Sequence, residues 1–526
     1  GYTEEKTRSA VKMLMDLAPK YALVRRDGGE QEIPVEELVV GDLFILRPGQ
    51  SVPTDGQISS GVSSVNQAPV TGESAPVEKQ PGDTVFAGSI NGHGSLEVEA
   101  TTTFSDNSIS RIIQMVEEAQ ERKGQSQRFI ERFGDRYSPL VLLFGVLLAV
   151  VPPLLFGGDW ADWLMRATVF IVAAAPCALV ISIPITLVAS LGTGARQGVL
   201  IKGGMYVEEL AKIEVVAMDK TGTITQGEPE VTDLVVVDGG KMDDDQLLAL
   251  AAGLEGHSEH PLARAVTRYA GERMVSAADV SNFQALSGAG AGAEWQRRRV
   301  TIGSPALFWD DLQVDLGQLA GEIGRLQGQG KTVVVVGDET AVYGLIAMRD
   351  EMRPNARQAI ADLHKAGIKN VVMLTGDNER TAQAVANEVG VDEFYADLKP
   401  EDKVAKVREL AQKYGHVAMV GDGVNDAPAM AEATVGVAMG AAGTDVALET
   451  ADVALMADDL EKLVYALDLA QRNQQVVRQN VALSIVVISA LSLGAITGAL
   501  ALPAAVLGHE ISEFIVIGNG LRMLRT

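Results

Sequence analysis

Three short runs in this 526-residue sequence end an apolar stretch with carboxylates: Asp219-Lys220-Thr221-Gly222-Thr223, Thr375-Gly376-Asp377-Asn378 and Gly421-Asp422-Gly423-Val424-Asn425-Asp426. A carboxylate such as Asp219 can attack a phosphoryl group, but two anions approach each other only if their charge is compensated. A Mg²⁺ held by Asp219 and Asp422, a lysine such as Lys403, and loop hydroxyls and amides would supply that compensation. The preceding residues, Val215–Met218, Val371–Leu374 and Val417–Val420, are continuous apolar runs set between helical patterns. Such runs are strands of a parallel sheet covered on both faces. Loops just past the carboxyl ends of parallel strands converge on one crevice, so these three are expected to share a site although far apart in sequence.

A second set of chemically active residues stands in apolar surroundings: Ala175-Pro176-Cys177 followed by Ser182 and Pro184, and, near the end of the chain, His509, Glu510 and Glu513. Pro176 cannot donate an amide bond and disrupts a helix one turn back, which frees carbonyls and turns side chains toward a cavity. Ionisable groups in an apolar span cost about 2.5–3.5 kcal/mol each, so they should face a partner. A divalent cation would offset that penalty for several at once. His509 and Glu513 are four apart and share a helix face, with Glu510 one residue's rotation away.

With these residues in view, the chain resembles the P-type ATPases along its whole length, membrane pumps within the haloacid-dehalogenase-like fold group. The resemblance implies that Asp219 is the phosphorylated nucleophile, with Lys403, Thr375 and Asp426 in the catalytic set and Asp219, Thr221 and Asp422 around Mg²⁺. Phosphoesterase relatives carry a second Asp two residues after the nucleophile, as general acid and base. Here that place holds Thr221, so an aspartyl phosphate should persist until another domain acts. Glu73, in Thr71-Gly72-Glu73-Ser74, resembles the actuator-loop residue that does so. Ser258-Glu259-His260-Pro261 and Gly288-Ala289-Gly290-Ala291-Gly292, with Glu255 upstream and Gly303 downstream, resemble the nucleotide-binding domain of the heavy-metal branch. The glycines let backbone lie flat against ATP, and His260 could stack on or bond to adenine. Gly330-Lys331-Thr332 precedes a strand rather than a helix and is not a P-loop.

The Pro-Cys pair resembles the ion-site motif of heavy-metal P-type ATPases, many of which have Cys-Pro-Cys where this chain has Ala175. His509-Glu510 is similar to the pair of the cobalt/zinc-type subgroup, whose usual continuation with Gly and Thr is replaced here by Ile511, Ser512 and Glu513. One thiolate with imidazole and carboxylate shifts preference from Cu(I) toward Zn²⁺, Co²⁺, Ni²⁺ or Cd²⁺, and Cys177, His509, Glu510, Glu513 and Ser182 are the candidate ligands. The resemblance therefore implies ATP-driven export of a divalent transition-metal ion.

Positioning these groups requires a membrane and several domains. Four apolar stretches, Pro139–Phe156, Thr168–Ala195, Val481–Leu500 and Ala501–Leu521, each have the length of a helix crossing about 30 Å of hydrocarbon and form two hairpins. The acidic, Trp-bearing loop Gly157–Trp163 lies on one side, and Arg128, Arg132, Arg136, Arg196, Lys202, Arg472, Arg478, Arg522 and Arg525 flank the other. The positive-inside bias then puts the long polar segments in the cytoplasm, with a bacterial plasma membrane expected. The expected organisation is a multidomain membrane protein. A small β actuator domain with stalk helices takes 1–130, transmembrane hairpins take 131–200 and 473–526, and an α/β haloacid-dehalogenase-like phosphorylation domain takes 201–231 and 345–472. An inserted α+β nucleotide-binding domain takes 232–344. Helical patterns open the first segment and run from Ser108 to Gln127.

Composition sets limits consistent with this. A net charge of −25 and pI near 4.7 argue against a general nucleic-acid binder. One Cys forms no internal disulfide. Residue 1 is Gly, and the resemblance implies further transmembrane helices before the actuator domain, so a fragment is expected that transports poorly alone. Two other readings compete. A membrane-anchored phosphohydrolase is disfavoured by Thr221, and the energy-coupling subunit of a potassium-uptake P-type ATPase by Cys177 and His509.

Overall fold

The apolar runs that end in carboxylates are strands. In a computed structural model that describes residues 19–26, 29–67, 77–107, 110, 125–237, 242–256, 258, 261–286, 290–317, 319–422, 426–440 and 451–525, Val417–Gly421, Val215–Asp219, Asn370–Leu374 and Glu393–Tyr395 lie side by side in that order. All three pairings are parallel, and the first two strands are buried throughout. The helices between them, Ala356–Lys365, Glu379–Val389 and Pro400–Tyr414, bury one stripe each and leave the charged face to water.

The chain divides into two units, Glu214–Gly436 and Gly1–Ile213 with Val437–Thr526. The first also holds an antiparallel sheet in the order Thr225–Val236, Val342–Met352, Thr332–Asp338, Arg298–Gly303, Gly290–Trp295, Ser281–Leu286. Its outermost and second strands begin upstream of Thr232 and continue past Gly344. Period-two alternation separates its faces. Val334 and Val336 pack with Leu247, Leu250, Leu254 and Val266 from two helices, whereas Val333 and Val335 pack with Leu319, Ile323, Leu326 and Phe308.

The second unit contains a β domain. Gly29–Pro34, Tyr21–Arg26, Leu43–Leu46, Leu96–Ala100, Gly56–Ser60 and Thr84–Val85 form one antiparallel sheet around Val24, Phe44, Ile58 and Val98. Its first hairpin was not anticipated, although Asp27-Gly28 between alternating apolar residues is a hairpin signal. The helical stretches expected before residue 19 and over most of Ser108–Gln127 lie outside the described residues, as does Glu73.

Among the described residues, this unit also holds the short helix Gly204–Leu210 and five longer ones: α1 Gln125–Phe156, α2 Trp160–Ala173, α3 Cys177–Arg196, α4 Glu461–Thr497 and α5 Leu502–Leu521. Among the described residues, three stretches are long and apolar enough to cross a membrane: Arg132–Phe156, Trp160–Arg196 taken across its break, and Glu461–Thr497. The fourth expected span does form α5 but is not one of the three, because His509, Glu510 and Glu513 interrupt its apolar run. The expected loop through Trp163 is shorter in the structure. Asp159 accepts from the Asp162 amide at 3.3 Å and starts α2 at Trp160. Helix α2 stops at Ala173, and α3 begins at Cys177 directly after Pro176. Leu140, Leu143, Leu147, Leu154, Leu155 and Phe514 are exposed, as side chains facing lipid would be.

Gly290 and Gly303 stand opposite each other on neighbouring strands, and a Cβ at Gly290 would lie 2.0 Å from the Ile302 carbonyl oxygen. Gly290→Ala is expected to destabilise the protein by about 1–3 kcal/mol through overpacking. Gly271→Ala, in an open helical position, should instead gain up to about 1 kcal/mol. Denaturant unfolding of the two variants checks the opposite signs.

Candidate active and ion sites

Asp219 is the last residue of its strand, so its side chain emerges at the carboxyl end of the sheet. It is buried, with 6% of its surface exposed. The chain turns away at once through Gly222, whose φ of +75° is costly for any side chain but hydrogen. Arg353 clamps this turn, donating from its guanidinium to the carbonyls of Thr223 at 2.9 Å and Gly222 at 2.8 Å. Asp350 ties down the following residues, accepting from Thr225 Oγ1 at 2.6 Å and the Gly227 amide at 3.0 Å.

Lys403 reaches the site from the first turn of the helix Pro400–Tyr414, whose start is fixed by Pro400 and by the Lys399 amide donating to Asp402 at 3.1 Å. Its Nζ donates to Asp219 Oδ1 at 2.5 Å and to Asp426 Oδ1 at 3.1 Å. Asp426 is 1% exposed and its Oδ2 has no hydrogen-bond partner. Burial, together with the charge of Asp426 and against the pull of Lys403, pushes the Asp219 carboxyl up to about 7. Burial raises Asp426 as well, opposed by Lys403 and reinforced by neighbouring Asp422. Burial works against the Lys403 charge, but the two carboxylates outweigh it and hold the ammonium above its ordinary value.

Thr375 and Asp377 sit at the end of the adjacent strand. Lys220 pairs with Asp377, which also accepts from Thr332 Oγ1 at 3.1 Å, while the Asp377 amide donates to Thr375 Oγ1 at 3.1 Å. The structure thus gathers Asp219, Asp422, Asp426 and Lys403, with Thr375 and Asp377 alongside. Lys220, Asp350 and Arg353 were not singled out from sequence. Lys220 follows Asp219 directly, but nothing in the sequence pairs Arg353 with a loop 130 residues earlier.

Of the proposed nucleotide residues, Gly290 and Gly303 pair across strands, and Glu255 ends the helix Asp244–Glu255 with burial raising its carboxyl to about 7. His260 and Gly288 lie outside the described residues.

At the break between α2 and α3, Cys177 Sγ, a His509 ring nitrogen and a Glu513 carboxylate oxygen all lie within 4.8 Å of one another. His509 is buried, and its Nε2 is 3.3 Å from Glu513 Oε1. Thiol, imidazole and carboxylate converging at this spacing suit a borderline divalent cation. Glu510 is exposed and is not part of this cluster. Its Cα is rotated about 100° around α5 from that of His509. Ser182 is also outside it, being buried and donating to the Leu179 carbonyl at 3.0 Å.

Because the pair Asp219 and Asp426 stays protonated to higher pH when folded than when unfolded, it draws down stability as pH rises from about 4 to about 7. Removing Lys403 deepens the effect. Lys403→Met is expected to cost about 3–5 kcal/mol at pH 8 and distinctly less at pH 5.5, where a proton replaces the lost ammonium. Thermal unfolding at the two pH values measures the difference, and a loss independent of pH would contradict it.

Comparison with known proteins follows the same division. Residues 213–434 match the haloacid dehalogenase-like hydrolase family and residues 16–117 the P-type ATPase actuator domain. The chain is 44% identical over 527 residues to the probable cadmium-transporting ATPase of Alkalihalophilus pseudofirmus, covering 100% of this chain and 73% of that protein. It is 40% identical to the zinc-transporting ATPase of Bacillus subtilis, covering 100% and 81%. The crystal structure of a zinc-transporting PIB-type ATPase in the E2·Pi state matches with a TM-score of 0.62 at 38% identity, over 100% of this chain and 85% of that one. Matched along its whole length by these relatives and carrying both a haloacid dehalogenase-like region and an actuator domain, the chain belongs to the heavy-metal-transporting P-type ATPases, ATP-hydrolysing integral membrane proteins.

Proposed function

We propose that this chain drives export of a divalent transition-metal ion, of the zinc and cadmium class, from the cytoplasm across a bacterial plasma membrane. The observation that carries this is the meeting of Cys177, His509 and Glu513 where Pro176 breaks an apolar helix pair. One thiolate, one imidazole and one carboxylate favour Zn²⁺ or Cd²⁺ over Cu(I). The names of the relatives favour the same two ions over cobalt or nickel.

The phosphorylation site suits Mg²⁺. Asp219, Asp422 and Asp426 offer oxygen donors only, Asp426 Oδ2 lacks a partner, and Lys403 is the ammonium that bridges Asp219 and Asp426. Bound by Asp219, Thr221 and Asp422, Mg²⁺ would neutralise charge on the nucleophile and the transferred phosphoryl group. ATP would be held by residues 232–344, with Glu255, His260 and the glycines at 288, 290 and 303 around the nucleotide.

An Asp219 carboxylate oxygen then forms a bond to the γ-phosphorus of ATP as the bond from that phosphorus to the β–γ bridging oxygen breaks, and ADP leaves with the electron pair. Lys403 opposes the burial that favours a protonated Asp219 and stabilises charge on the phosphoryl oxygens. The Thr375 hydroxyl orders the neighbouring loop. Thr221 is no base for water, so the ester waits for Glu73 from the actuator domain to position one. This wait gives the membrane helices time to change access at the ion site. Moving two charges against 100 mV takes about 4.6 kcal/mol, within reach of one ATP.

The test is ATP hydrolysis by the purified protein across a series of Zn²⁺, Cd²⁺, Co²⁺, Ni²⁺, Cu⁺ and K⁺. Zn²⁺ and Cd²⁺ should stimulate most. Cys177→Ala and His509→Ala should each lower that stimulation by about tenfold or more while basal turnover is kept. Turnover indifferent to every metal would favour a membrane-anchored phosphohydrolase, and stimulation by K⁺ alone a potassium-uptake subunit.

A further inference from the structure

Ser484 lies in the middle of α4 with 1% of its surface exposed, and its hydroxyl has no hydrogen-bond partner. A serine in a membrane helix ordinarily gives its hydroxyl proton to a carbonyl three or four residues back. Among the described residues, the other buried serine and threonine hydroxyls of these helices are satisfied. Ser182 donates to Leu179 O at 3.0 Å, Thr186 to Ser182 O at 2.7 Å, Ser190 to Thr186 O at 2.9 Å and Ser512 to His509 O at 2.6 Å. Thr193 donates across to Met523 O at 3.0 Å. Among the described residues, Ser484 is the one buried serine or threonine of the five helices left unpaired. An orphaned hydroxyl in hydrocarbon is costly, and its persistence in a well-packed interface calls for a partner that arrives from outside.

Helix register shows where that partner would be. Asn473, Val476, Asn480 and Ser484 are all buried, and their spacing of three and four puts them on one face of α4. Asn480 Nδ2 donates to Val516 O at 3.3 Å, and Leu491 packs on Gly508, so α4 and α5 run antiparallel with Ser484 at the level of Glu513. On the other side, Ser190 Oγ is 2.8 Å from Asn473 Oδ1, and Leu179 and Ile183 pack with Val477 and Val481. This register carries Ser484 to the level of Leu179, about half a turn of helix from Cys177.

We infer that Ser484 supplies a fourth donor, a neutral oxygen from α4, to the ion held by Cys177, His509 and Glu513. The inference rests on the proposal that those three residues form the ion site. Sulfur, nitrogen and two oxygens from three helices complete a four-coordinate set for a borderline divalent ion, and the hydroxyl biases the site against softer ones. Ser484 thereby acts as a specificity-determining residue.

The experiment measures Zn²⁺ and Cd²⁺ dissociation constants of the purified protein by competition with a chromophoric chelator, for the wild type and for Ser484→Ala, Ser484→Thr, Ser484→Cys and Cys177→Ala. Ser484→Ala should weaken Zn²⁺ binding about tenfold, Ser484→Thr should stay close to wild type, and Ser484→Cys should raise the preference for Cd²⁺ over Zn²⁺ by about tenfold. Should the Ala variant fail to fold, the Thr and Cys pair carries the comparison. A fourth-donor role is overturned if Cys177→Ala weakens binding while every Ser484 variant matches wild type in affinity and ion preference. If Cys177→Ala has no effect either, the ion-site reading beneath it falls as well.

Discussion

Two carboxylates share one ammonium group in a buried crevice, and much of the unit Glu214–Gly436 follows from keeping that arrangement tolerable. Asp219 and Asp426 both touch Lys403 Nζ, and neither is open to water. Without the lysine, burial and mutual repulsion would protonate them both. With it, one more positive charge is wanted, and that shortfall is what a hard cation and a phosphoryl group can exploit. The surrounding structure prevents the obvious escape, which is for the loop to move. Arg353 holds the carbonyls on one side, Lys220 is committed to Asp377, and Gly222 makes a turn that would be costly for a larger residue.

The membrane site runs on related physics with different chemistry. Cys177, His509 and Glu513 are brought together where Pro176 leaves a helix unable to continue. Groups that would each be penalised in hydrocarbon are poised for a ligand that satisfies them jointly. In both places the protein holds polar groups close to one another before the charge that completes them arrives. Stored cost of this kind makes binding selective, because a ligand of the wrong softness or charge leaves part of the cost unrelieved.

Much of this was legible in the sequence because the signals were local. Four consecutive apolar residues before each acidic loop, Val215–Met218, Val371–Leu374 and Val417–Val420, marked buried parallel strands, and strand topology then carried their ends to one crevice. The four-residue spacing of His509 and Glu513 likewise fixed a common helix face. What escaped were pairings between distant segments. Arg353 reaches the turn at Gly222, and Thr332 reaches Asp377, through folded geometry with no trace in local pattern. Local reading also misjudged α2, because tryptophans and acids at Trp160–Trp163 resemble an interfacial loop while Asp159 caps a helix through them. Glu510 matched a family pattern by type, but its position on α5 turns it out of the cluster formed by its neighbour.

The most direct test is to expose the purified protein to ATP carrying radiolabel on its γ-phosphate, with Mg²⁺ and Zn²⁺, then quench in acid and map the labelled peptide. The account predicts an acid-stable, hydroxylamine-sensitive label on Asp219 that is absent from Asp219→Asn and outlasts the quench when Glu73 is replaced by Gln. A protein that hydrolyses ATP with no label on this aspartate, or that loses the label equally fast without Glu73, would contradict it.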